Sequence, residues 1–448
     1  MDTKILNKSY DLRWVYGKDI NEELYYKMWF AFATLQRRAE IFIVGCDARL
    51  SSESLKQALI EWILDTWKNV IDIWLCSTDM IYFATWAYEE VDVWLMITAS
   101  HNPKEYNWLK ACSKNAIPIN MKSFWVELQD FIAKWELIKK PILWNYKYTD
   151  ISDDFIEHIA SFVDLSKLKK FKVVADAGNW VAGVFMEKLA KKFNFELIPL
   201  FFEPDWDFPN HHPSPIEPEN VKDMIKKVLE ARADLWVAFD WDADRMSICD
   251  EAWVVWSWTI TTAMIAKVML EKFPKKKIIY NSVCGNIVPE TIERMWWIPV
   301  KEKVGHVYIK EKMYIDNEII FWWEHSGHYY FRKNWNADSW VIAFAKILDL
   351  LSEWDSKPSE VRKEFETYLA VPEINFKVSN VWDKLDELRS KYRDWSQDMF
   401  DWLTVRYHNW WFNVRPSSNE PLLRLNIEAR NESLLNEKFL ELKEIISK

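Results

Sequence analysis

Apolar and polar positions follow a plan that recurs three times along the chain. A short run of apolar, often β-branched residues ends in a turn of small polar residues, and an amphipathic helical pattern and a second apolar run follow. The first runs with their turns occupy 41–52, 172–183 and 277–288. The helical patterns cover roughly 52–68, 180–193 and 287–295, and the second runs cover 70–76, 195–202 and 298–301. This order is that of a βαβ unit, which predicts parallel sheets covered by helices.

The spacing and the linkers of these units predict the domain organisation. The units recur about every hundred residues, a period too long for a solenoid, so three related α/β domains are expected. A proline-containing polar linker is expected at 139–150, and a charged helix opens at 356–360. The last segment reads strand, helix, two or three strands and a helix at 432–447, which predicts a smaller α+β domain. The fold class is therefore α/β, with mixed, largely parallel sheets in domains 1–145, 146–250 and 251–365 and an α+β domain at 366–448.

Composition and charge argue against several classes of function and binding site. Of the 448 residues 50% are apolar and 28% are charged, a balance typical of globular proteins. The formal net charge of −10 argues against a nucleic-acid or membrane partner, so any anionic ligand must meet locally clustered arginine and lysine. The five scattered cysteines predict neither disulfides nor a zinc site, and they fit a reducing, cytoplasmic location. The N-terminus does not read as a signal peptide, and 252–270 reads as a buried helix rather than a membrane span.

The glycine and tryptophan counts are abnormal. The chain has 7 glycines and 30 tryptophans, whereas ordinary usage of about 7% predicts roughly 31 glycines. Many of the tryptophans stand where a turn with positive φ favours glycine, as in the examples that follow Asn or Asp at Trp108, Trp180, Trp335 and Trp402. We hypothesise that most of the tryptophans are glycines in the cell. A codon, most plausibly UGA, would then be read as glycine by the cell and as tryptophan by another translation table. The alternative is a tryptophan-rich carbohydrate binder.

The first candidate site is the segment 98–110, directly after the apolar run 91–97. Ser100 stands at the carboxyl end of this predicted strand, which is where parallel sheets bind ligands. Lys110 is close enough in sequence to fold back toward that end. Taken alone, the Ser-His-Asn sequence favours an ordinary solvated loop, and it is not a Gly-x-Ser-x-Gly nucleophile elbow.

The second candidate site is the acidic loop 240–245, which follows an apolar strand predicted at 234–239. Asp240, Asp242 and Asp244 alternate in this loop, and three carboxylates so close together repel one another unless a cation neutralises them. Oxygen ligands favour Mg²⁺ or Ca²⁺ over zinc, and no glutamate stands where an EF-hand requires one. A solvated acidic turn is the alternative, but the apolar strand before the loop favours a metal site.

Two further loops carry polar groups of a kind that binds sugars and phosphates. With glycine in place of tryptophan, 321–331 is a turn in which Glu324 and Ser326 can bind hydroxyls and His328 can transfer protons. The segment 414–424 combines two guanidinium groups with small polar side chains, which suits a phosphate: Arg415, Ser417, Ser418, Asn419 and Arg424. Each loop taken alone is also consistent with a plain surface hairpin.

The four segments together resemble the signature motifs of the α-D-phosphohexomutases, in the same order. They are TASHNP (98–103), DWDADR (240–245), WEHSGH (323–328) and RPSSNEP (415–421). YDLRW (10–14) and GCDARLSS (45–52) also match, and the chain is similar over essentially its whole length to the phosphomannomutase/phosphoglucomutase branch. The family has glycine at Trp14, Trp108, Trp241 and Trp323, arginine at Cys46, and Asn-Thr at Ser418-Asn419.

The resemblance implies four domains around a central cleft and a phosphoserine enzyme that interconverts hexose 1- and 6-phosphates of mannose or glucose through a bisphosphorylated sugar. It implies that Mg²⁺ is held by Ser100, Asp240, Asp242 and Asp244. Catalytic roles fall to Ser100, Lys110, Arg13, Arg245 and His328. Substrate binding falls to Tyr10, His306, Glu324, Ser326, Arg415, Ser417, Ser418, Asn419 and Arg424. Hexose phosphates are the expected partners of a monomer or weak dimer.

Three alternatives stay open at this point. Phosphoglucosamine mutase is the alternative within the family, since the sequence does not fix the sugar. A metal-dependent phosphohydrolase would share the serine and the aspartate loop but would not need a second phosphate site at 414–424. A sugar-phosphate binder without catalytic activity follows if the tryptophans are real.

Overall fold

The computed structural model describes residues 14–35, 38–99, 102, 104–113, 117–118, 145–205, 207, 209–211, 230–240, 245–323, 327–417 and 422–447. The chain divides into two compact units, Met1–Val255 with Ala337–Ala345, and Trp256–Asn336 with Lys346–Lys448. Within the described ranges no helix is long and apolar enough to cross a membrane. The five cysteines are all buried, and none of them forms a disulfide bond.

The first domain is built on a six-stranded sheet in the order β7-β6-β4-β2-β3-β8, and β1 pairs separately with β5. Its strands are Trp14–Val15 (β1), Ile41–Cys46 (β2), Asn69–Leu75 (β3), Val93–Ile97 (β4), Tyr106–Asn107 (β5), Leu109–Ser113 (β6), Ile117–Pro118 (β7) and Tyr146–Tyr148 (β8). Its helices are Glu22–Leu35 (α1), Leu50–Asp65 (α2) and Thr78–Ala87 (α3). The strands β4, β2, β3 and β8 are parallel, as the βαβ pattern predicts. Strand β8 lies in the segment expected to be a linker, so the first sheet extends past residue 145.

The second domain has a four-stranded sheet in the order β10-β9-β11-β12, in which only β12 is antiparallel to its neighbour. Its strands are Lys172–Asp176 (β9), Glu196–Leu200 (β10), Leu235–Phe239 (β11) and Met246–Asp250 (β12). Its helices are Ser152–Ala160 (α4) and Gly183–Phe193 (α5). Val174, Trp236 and Cys249 belong to its buried core. The antiparallel β11–β12 hairpin therefore presents the acidic loop at the carboxyl end of a parallel strand.

The third domain repeats the plan with a five-stranded sheet in the order β14-β13-β15-β16-β17. Its strands are Lys277–Asn281 (β13), Val300–Glu302 (β14), Ile319–Trp323 (β15), Tyr329–Phe331 (β16) and Ala337–Asp338 (β17). The helices in this part of the chain are Trp258–Lys272 (α6), Ile287–Arg294 (α7), His306–Ile315 (α8), Trp340–Glu353 (α9) and Pro358–Lys363 (α10). Strands β14, β13 and β15 are parallel, and β16 runs back along β15. The helix expected near 252–270 and the helix opening at 356–360 are thus both present, as α6 and α10.

The C-terminal domain is an antiparallel sheet in the order β18-β23-β22-β21-β20, with β19 also paired to β23. Its strands are Leu369–Ala370 (β18), Ile374–Lys377 (β19), Ser396–Asp398 (β20), Leu403–Arg406 (β21), Trp410–Pro416 (β22) and Leu422–Ala429 (β23). Its helices are Val381–Lys391 (α11) and Glu432–Ser447 (α12). The predicted α+β class is confirmed, although four strands rather than two or three separate the helices.

Among the described tryptophans, six adopt the left-handed backbone conformation that favours glycine: Trp67, Trp74, Trp253, Trp296, Trp335 and Trp402. Trp335 and Trp402 agree with the prediction from their Asn-Trp and Asp-Trp turns. Trp108 and Trp180 do not take a positive φ: Trp108 lies between two short strands, and Asn179 rather than Trp180 takes the left-handed angle. Of the four tryptophans at glycine positions of the resembled family, Trp14 and Trp323 lie in extended strands.

Helix ends show why glycine is expected at two of these six positions. The N–H groups of Trp296 and Trp297 donate to the carbonyls of Glu293 and Ile292, at 2.8 and 3.1 Å. This pair of bonds is a Schellman motif, in which the residue that takes the left-handed angle is usually glycine or asparagine. Helix α2 ends with the same pair of bonds at Trp67 and Lys68. Helix α5 has Asn194 at the equivalent position, with φ of 56°.

Candidate active site

The acidic loop of the first unit is closed by its first and last residues. Asp240 is buried at the end of β11, and its Oδ1 accepts a hydrogen bond of 3.0 Å from the backbone N–H of Arg245. Its Oδ2 lies 3.4 Å from Arg245 Nε. The structure thus brings together two of the predicted site residues, while Trp241, Asp242 and Asp244 lie outside the described residues. No group of three metal-binding side chains occurs within the described ranges.

The chemistry of this loop fits a hard cation. Asp240 brings a buried carboxylate to the carboxyl end of a sheet, and two further carboxylates follow it within four residues. All of these donors are oxygen atoms, and a buried carboxylate is costly without a positive partner. Arg245 supplies one positive charge against the three carboxylates of the loop sequence, so negative charge remains for a cation to neutralise.

The predicted serine loop begins after β4, and its flanks lie side by side. Thr98 donates its N–H to the carbonyl of Trp108 at 3.1 Å, and Asn102 donates its N–H to the carbonyl of Ala99 at 3.1 Å. Lys110 lies on β6 directly opposite Met96, so the chain folds back as expected. Ser100, Arg13 and Tyr10 lie outside the described residues, and β1 begins at Trp14, the residue after Arg13.

The hairpin predicted around His328 is present in the second unit. Strands β15 and β16 are antiparallel, with Trp323 opposite Tyr329, and His328 is half-buried directly before β16. Gly327 has φ of 92°, and a Cβ there would approach the ring of Trp258 to 3.0 Å, so this turn requires glycine. Glu324 and Ser326 lie outside the described residues. His306 is the first residue of α8, and its side chain is not described.

The arginine loop of the C-terminal domain forms a braced pair of guanidinium groups. Arg415 and Arg424 lie opposite each other on β22 and β23. Both donate to the carboxylate of Glu373, each at 3.3 Å, and Arg424 also lies 3.4 Å from the hydroxyl of Ser417. Asn426 donates to the same carboxylate at 3.0 Å. Three predicted substrate-binding residues therefore meet in one place, while Ser418 and Asn419 lie outside the described residues.

The guanidinium pair keeps both positive charge and donors for a ligand. Two guanidinium charges face one carboxylate, which leaves a net positive charge at the pair. The Nε atoms of Arg415 and Arg424 are buried and have no hydrogen-bond acceptor among the described residues. A buried donor without an acceptor is costly, and an anion bound at the adjoining loop would offset that cost.

Three residues are functional candidates that the sequence analysis missed: Glu373 in the C-terminal domain, and the pair Asp47 and Arg49 in the first domain. Glu373 is a single acidic residue before β19, and nothing in its surroundings marks it until the strands are paired. Asp47 and Arg49 lie within GCDARLSS, a segment whose resemblance was noted without a role for either side chain. The structure shows both as a fully buried ion pair beside the serine loop.

Comparison with known proteins identifies the family. Models of phosphoglucomutase/phosphomannomutase match in four consecutive parts: alpha/beta/alpha domain I at 4–136, domain II at 153–253, domain III at 260–368 and the C-terminal domain at 373–444. The chain is 33% identical over 445 residues to a phosphomannomutase of Methanocaldococcus jannaschii, covering 98% of this chain and 97% of that protein. It is also 33% identical over 456 residues to a phosphomannomutase of Vibrio cholerae, covering 98% of each chain.

A solved structure agrees with these sequence matches. A phosphoglucomutase/phosphomannomutase family protein from Burkholderia thailandensis has a TM-score of 0.84 and 27% identity, covering 99% of this chain and 97% of that chain. The predicted fold class and the resemblance drawn from the motifs are both confirmed. The chain belongs to the phosphoglucomutase/phosphomannomutase family.

Proposed function

We propose that this chain is a phosphohexomutase that interconverts hexose 1-phosphate and hexose 6-phosphate, with mannose, glucose or both as the sugar. The observation that carries the proposal is the guanidinium pair of Arg415 and Arg424, braced by Glu373 and left with unused donors. In a chain with a net charge of −10, such a pair suits a phosphate that is held while another reacts. A phosphohydrolase needs no second phosphate site, so the pair favours a mutase.

Ser100 is the proposed nucleophile and phosphate carrier. Phosphorylated Ser100 gives its phosphoryl group to the free hydroxyl of the bound sugar, so a sugar O–P bond forms as the serine O–P bond breaks. The resulting bisphosphorylated sugar reorients within the site, so that its other phosphoryl group faces Ser100 and is transferred back to it. The position after β4 supports this role, because ligands meet parallel sheets at the carboxyl ends of their strands.

The other predicted site residues take supporting roles. Asp240, Asp242 and Asp244, with Ser100, would hold Mg²⁺, which supplies positive charge to the transferring phosphoryl group. Lys110 and His328 would transfer protons, taking the one that the attacking hydroxyl loses and returning one to the leaving oxygen, and Arg13 and Arg245 would stabilise charge. Glu324 and Ser326, with Tyr10 and His306, would bind sugar hydroxyls in either orientation of the intermediate, and Ser417, Ser418 and Asn419 would join the arginines on the phosphate. Buried cysteines that form no disulfide bond fit a cytoplasmic location.

The proposal is tested by following the phosphoryl group on the protein. Two forms of the chain are needed: the tryptophan form, as the sequence reads, and a glycine form in which every UGA-encoded tryptophan is glycine. Intact mass after incubation with glucose 1,6-bisphosphate and Mg²⁺ should show one phosphoryl group in at least one form, and Ser100→Ala should abolish both phosphorylation and turnover. Ser161→Ala removes an exposed serine of the second domain and should change neither. Full activity in Ser100→Ala would contradict the proposal.

The sugar is settled by a comparison of substrates. Mannose 1-phosphate, glucose 1-phosphate and glucosamine 1-phosphate are offered in parallel, and each 6-phosphate product is measured by a coupled assay. Higher kcat/KM for mannose or glucose is expected, in keeping with the relatives named phosphomannomutase. A preference for glucosamine 1-phosphate would instead support the alternative within the family.

A further inference from the structure

A buried ion pair lies beneath the predicted serine loop. Arg49 Nε donates to Asp47 Oδ2 at 3.0 Å, and both side chains are fully shielded from solvent. Asp47 Oδ1 also accepts from the backbone N–H of Arg49 at 3.1 Å and from the hydroxyl of Ser52 at 2.5 Å. Burial raises the pKa of the Asp47 carboxyl, and the charge of Arg49 is the strongest influence that lowers it again. The carboxylate thus fixes Arg49 at the end of β2.

The remaining donors of Arg49 reach the loop itself. Nη2 donates to the backbone carbonyl of Asn102 at 2.9 Å, and Nη1 donates to the backbone carbonyl of Tyr106 at 3.0 Å. Asn102 is two residues beyond Ser100, and Tyr106 begins β5, which pairs with β1. One guanidinium group therefore ties both the exit of the serine turn and the strand that follows it to the rigid first sheet.

The geometry requires arginine rather than a generic cation. Arg49 uses three nitrogen atoms of one planar group on three acceptors that come from different parts of the chain. A lysine ammonium is a single point at the end of a flexible stem, so it cannot satisfy all three acceptors in these positions. A lysine at position 49 would keep the charge for Asp47 and release at least one loop carbonyl.

A second set of hydrogen bonds locks the far end of the loop. The amide of Asn107 donates to the hydroxyls of Ser51 and Ser52, each at 2.9 Å. Because Ser52 also donates to Asp47, the loop and the ion pair form one connected network at the start of α2. In such a network each member is restrained by its partners. Restraint of this kind is what holds a reacting group in position.

We infer that Arg49 is a positioning residue for phosphoryl transfer, which holds the serine loop in its reactive placement through the carbonyls of Asn102 and Tyr106. This inference rests on the proposed function of Ser100. Arg49 neither donates a proton nor binds the sugar in this account. Its contribution is to keep the serine loop ordered, so that the loop need not become ordered in each turnover. A displacement of the reacting serine by about 1 Å can lower the rate roughly a hundredfold.

The test compares Arg49→Lys with a matched variant elsewhere in the first domain. Lys56→Met removes another buried ion pair, between Lys56 and Asp72 at 3.3 Å, together with the bridge from Lys56 to Glu53 at 3.0 Å; neither bridge involves a described residue of the serine loop. In whichever form turns over hexose phosphate, Arg49→Lys should lower kcat at least tenfold while KM changes less than threefold. Amide hydrogen exchange should become faster in the peptide that spans 99–107. Lys56→Met should leave kcat within twofold of the parent, even if its thermal midpoint falls.

The outcomes separate this inference from the proposed function. An active parent with an equally active Arg49→Lys variant, or an equal loss of kcat in Lys56→Met, would overturn the positioning role. A parent that is inactive on every hexose phosphate would contradict the proposed function instead, and hydrogen exchange at 99–107 would still show whether Arg49 orders the loop.

Asp47→Asn keeps the hydrogen-bond acceptor and removes its charge, so it should lower kcat less than Arg49→Lys does. An effect of Arg49→Lys that is confined to KM would also overturn the inference.

Discussion

Single residues carry an unusual free-energy cost in this chain. A residue with a side chain pays roughly 1–2 kcal/mol for the left-handed conformation, and six described tryptophans adopt it. Summed over the chain, this cost is on the order of the stability of a typical folded protein, about 5–15 kcal/mol. The buried indole N–H groups of Trp29, Trp62, Trp94, Trp236 and Trp322 also have no acceptor among the described residues. Glycine would remove the backbone cost at the six left-handed positions and the unsatisfied N–H group at the other five.

Trp411 shows what a well-accommodated tryptophan looks like in the same protein. Its indole N–H donates to Glu428 at 2.7 Å, and the guanidinium of Arg406 lies 4.8 Å from its ring centre. Both contacts are of the kind that stabilises a buried tryptophan. The contrast supports the hypothesis that most of the other tryptophans, but not this one, are glycines in the cell.

The hypothesis predicts the effect of substitutions at Trp296. Its side chain is 90% exposed, so backbone conformation rather than packing decides the outcome. We expect Trp296→Gly to be more stable than Trp296→Ala by about 1 kcal/mol, because only glycine takes the left-handed angle without cost. The measurement is the free energy of unfolding by denaturant.

Trp382 provides the control for this substitution. It is also exposed, but it lies in the first turn of α11, where the backbone is helical. There Trp382→Ala should be more stable than Trp382→Gly, since alanine favours the helix. The account of the tryptophans would be wrong if alanine were also the better residue at 296.

The pairing of strands creates the proposed phosphate site of the C-terminal domain. Glu373 stands before β19 and reaches arginines on β22 and β23, so it acts across three strands. Glu373→Gln should raise KM for hexose phosphate about tenfold with kcat little changed, because an amide cannot accept from both guanidinium groups and also face Asn426. Steady-state kinetics at constant ionic strength measure this effect.

Glu441→Gln is the matched control in the same domain. Glu441 forms ion pairs of 2.9 and 3.0 Å with Lys391 and Lys438, away from the arginine pair. The substitution Glu441→Gln should leave KM for hexose phosphate unchanged. An equal rise of KM in both variants would show that domain stability, not the placement of the arginines, sets substrate affinity.

The β11–β12 hairpin carries the proposed metal site. Chelation should abolish turnover and added Mg²⁺ should restore it, while Asp242→Asn should raise the Mg²⁺ concentration for half-maximal activity by roughly ten- to a hundredfold. The reason is the loss of one negative ligand from a three-carboxylate loop. Asp164→Asn, an exposed site in the same domain, should not shift the Mg²⁺ dependence. Turnover that survives chelation would rule out this role.

Local patterns were sufficient to predict the elements that have strong patterns of their own. The apolar runs before the serine and aspartate loops are buried strands, and α12 has the predicted bounds. Strand β8 was missed because Tyr146–Tyr148 is exposed and becomes a strand only by pairing with β3. Glu373 and Arg49 were missed for a related reason: their partners are distant in sequence, and no local spacing encodes such contacts.

At the scale of the whole molecule, two compact units share the candidate chemistry. The first holds the serine loop, the aspartate loop and the Arg49 network, and the second holds the His328 hairpin and the arginine pair. The family models match in four consecutive domains along the chain. If the tryptophans are glycines in the cell, the glycine form should be the more active of the two forms.

The most direct test of the central claim follows the phosphate of mannose 1-phosphate by ³¹P NMR, with Mg²⁺, a trace of glucose 1,6-bisphosphate and the more active form of the protein. The account predicts that the hexose 1-phosphate signal is replaced by a hexose 6-phosphate signal until the two reach equilibrium, while no inorganic phosphate is released. The same result with glucose 1-phosphate would also agree. Release of inorganic phosphate in place of the 6-phosphate, or no change in either form, would contradict a phosphohexomutase.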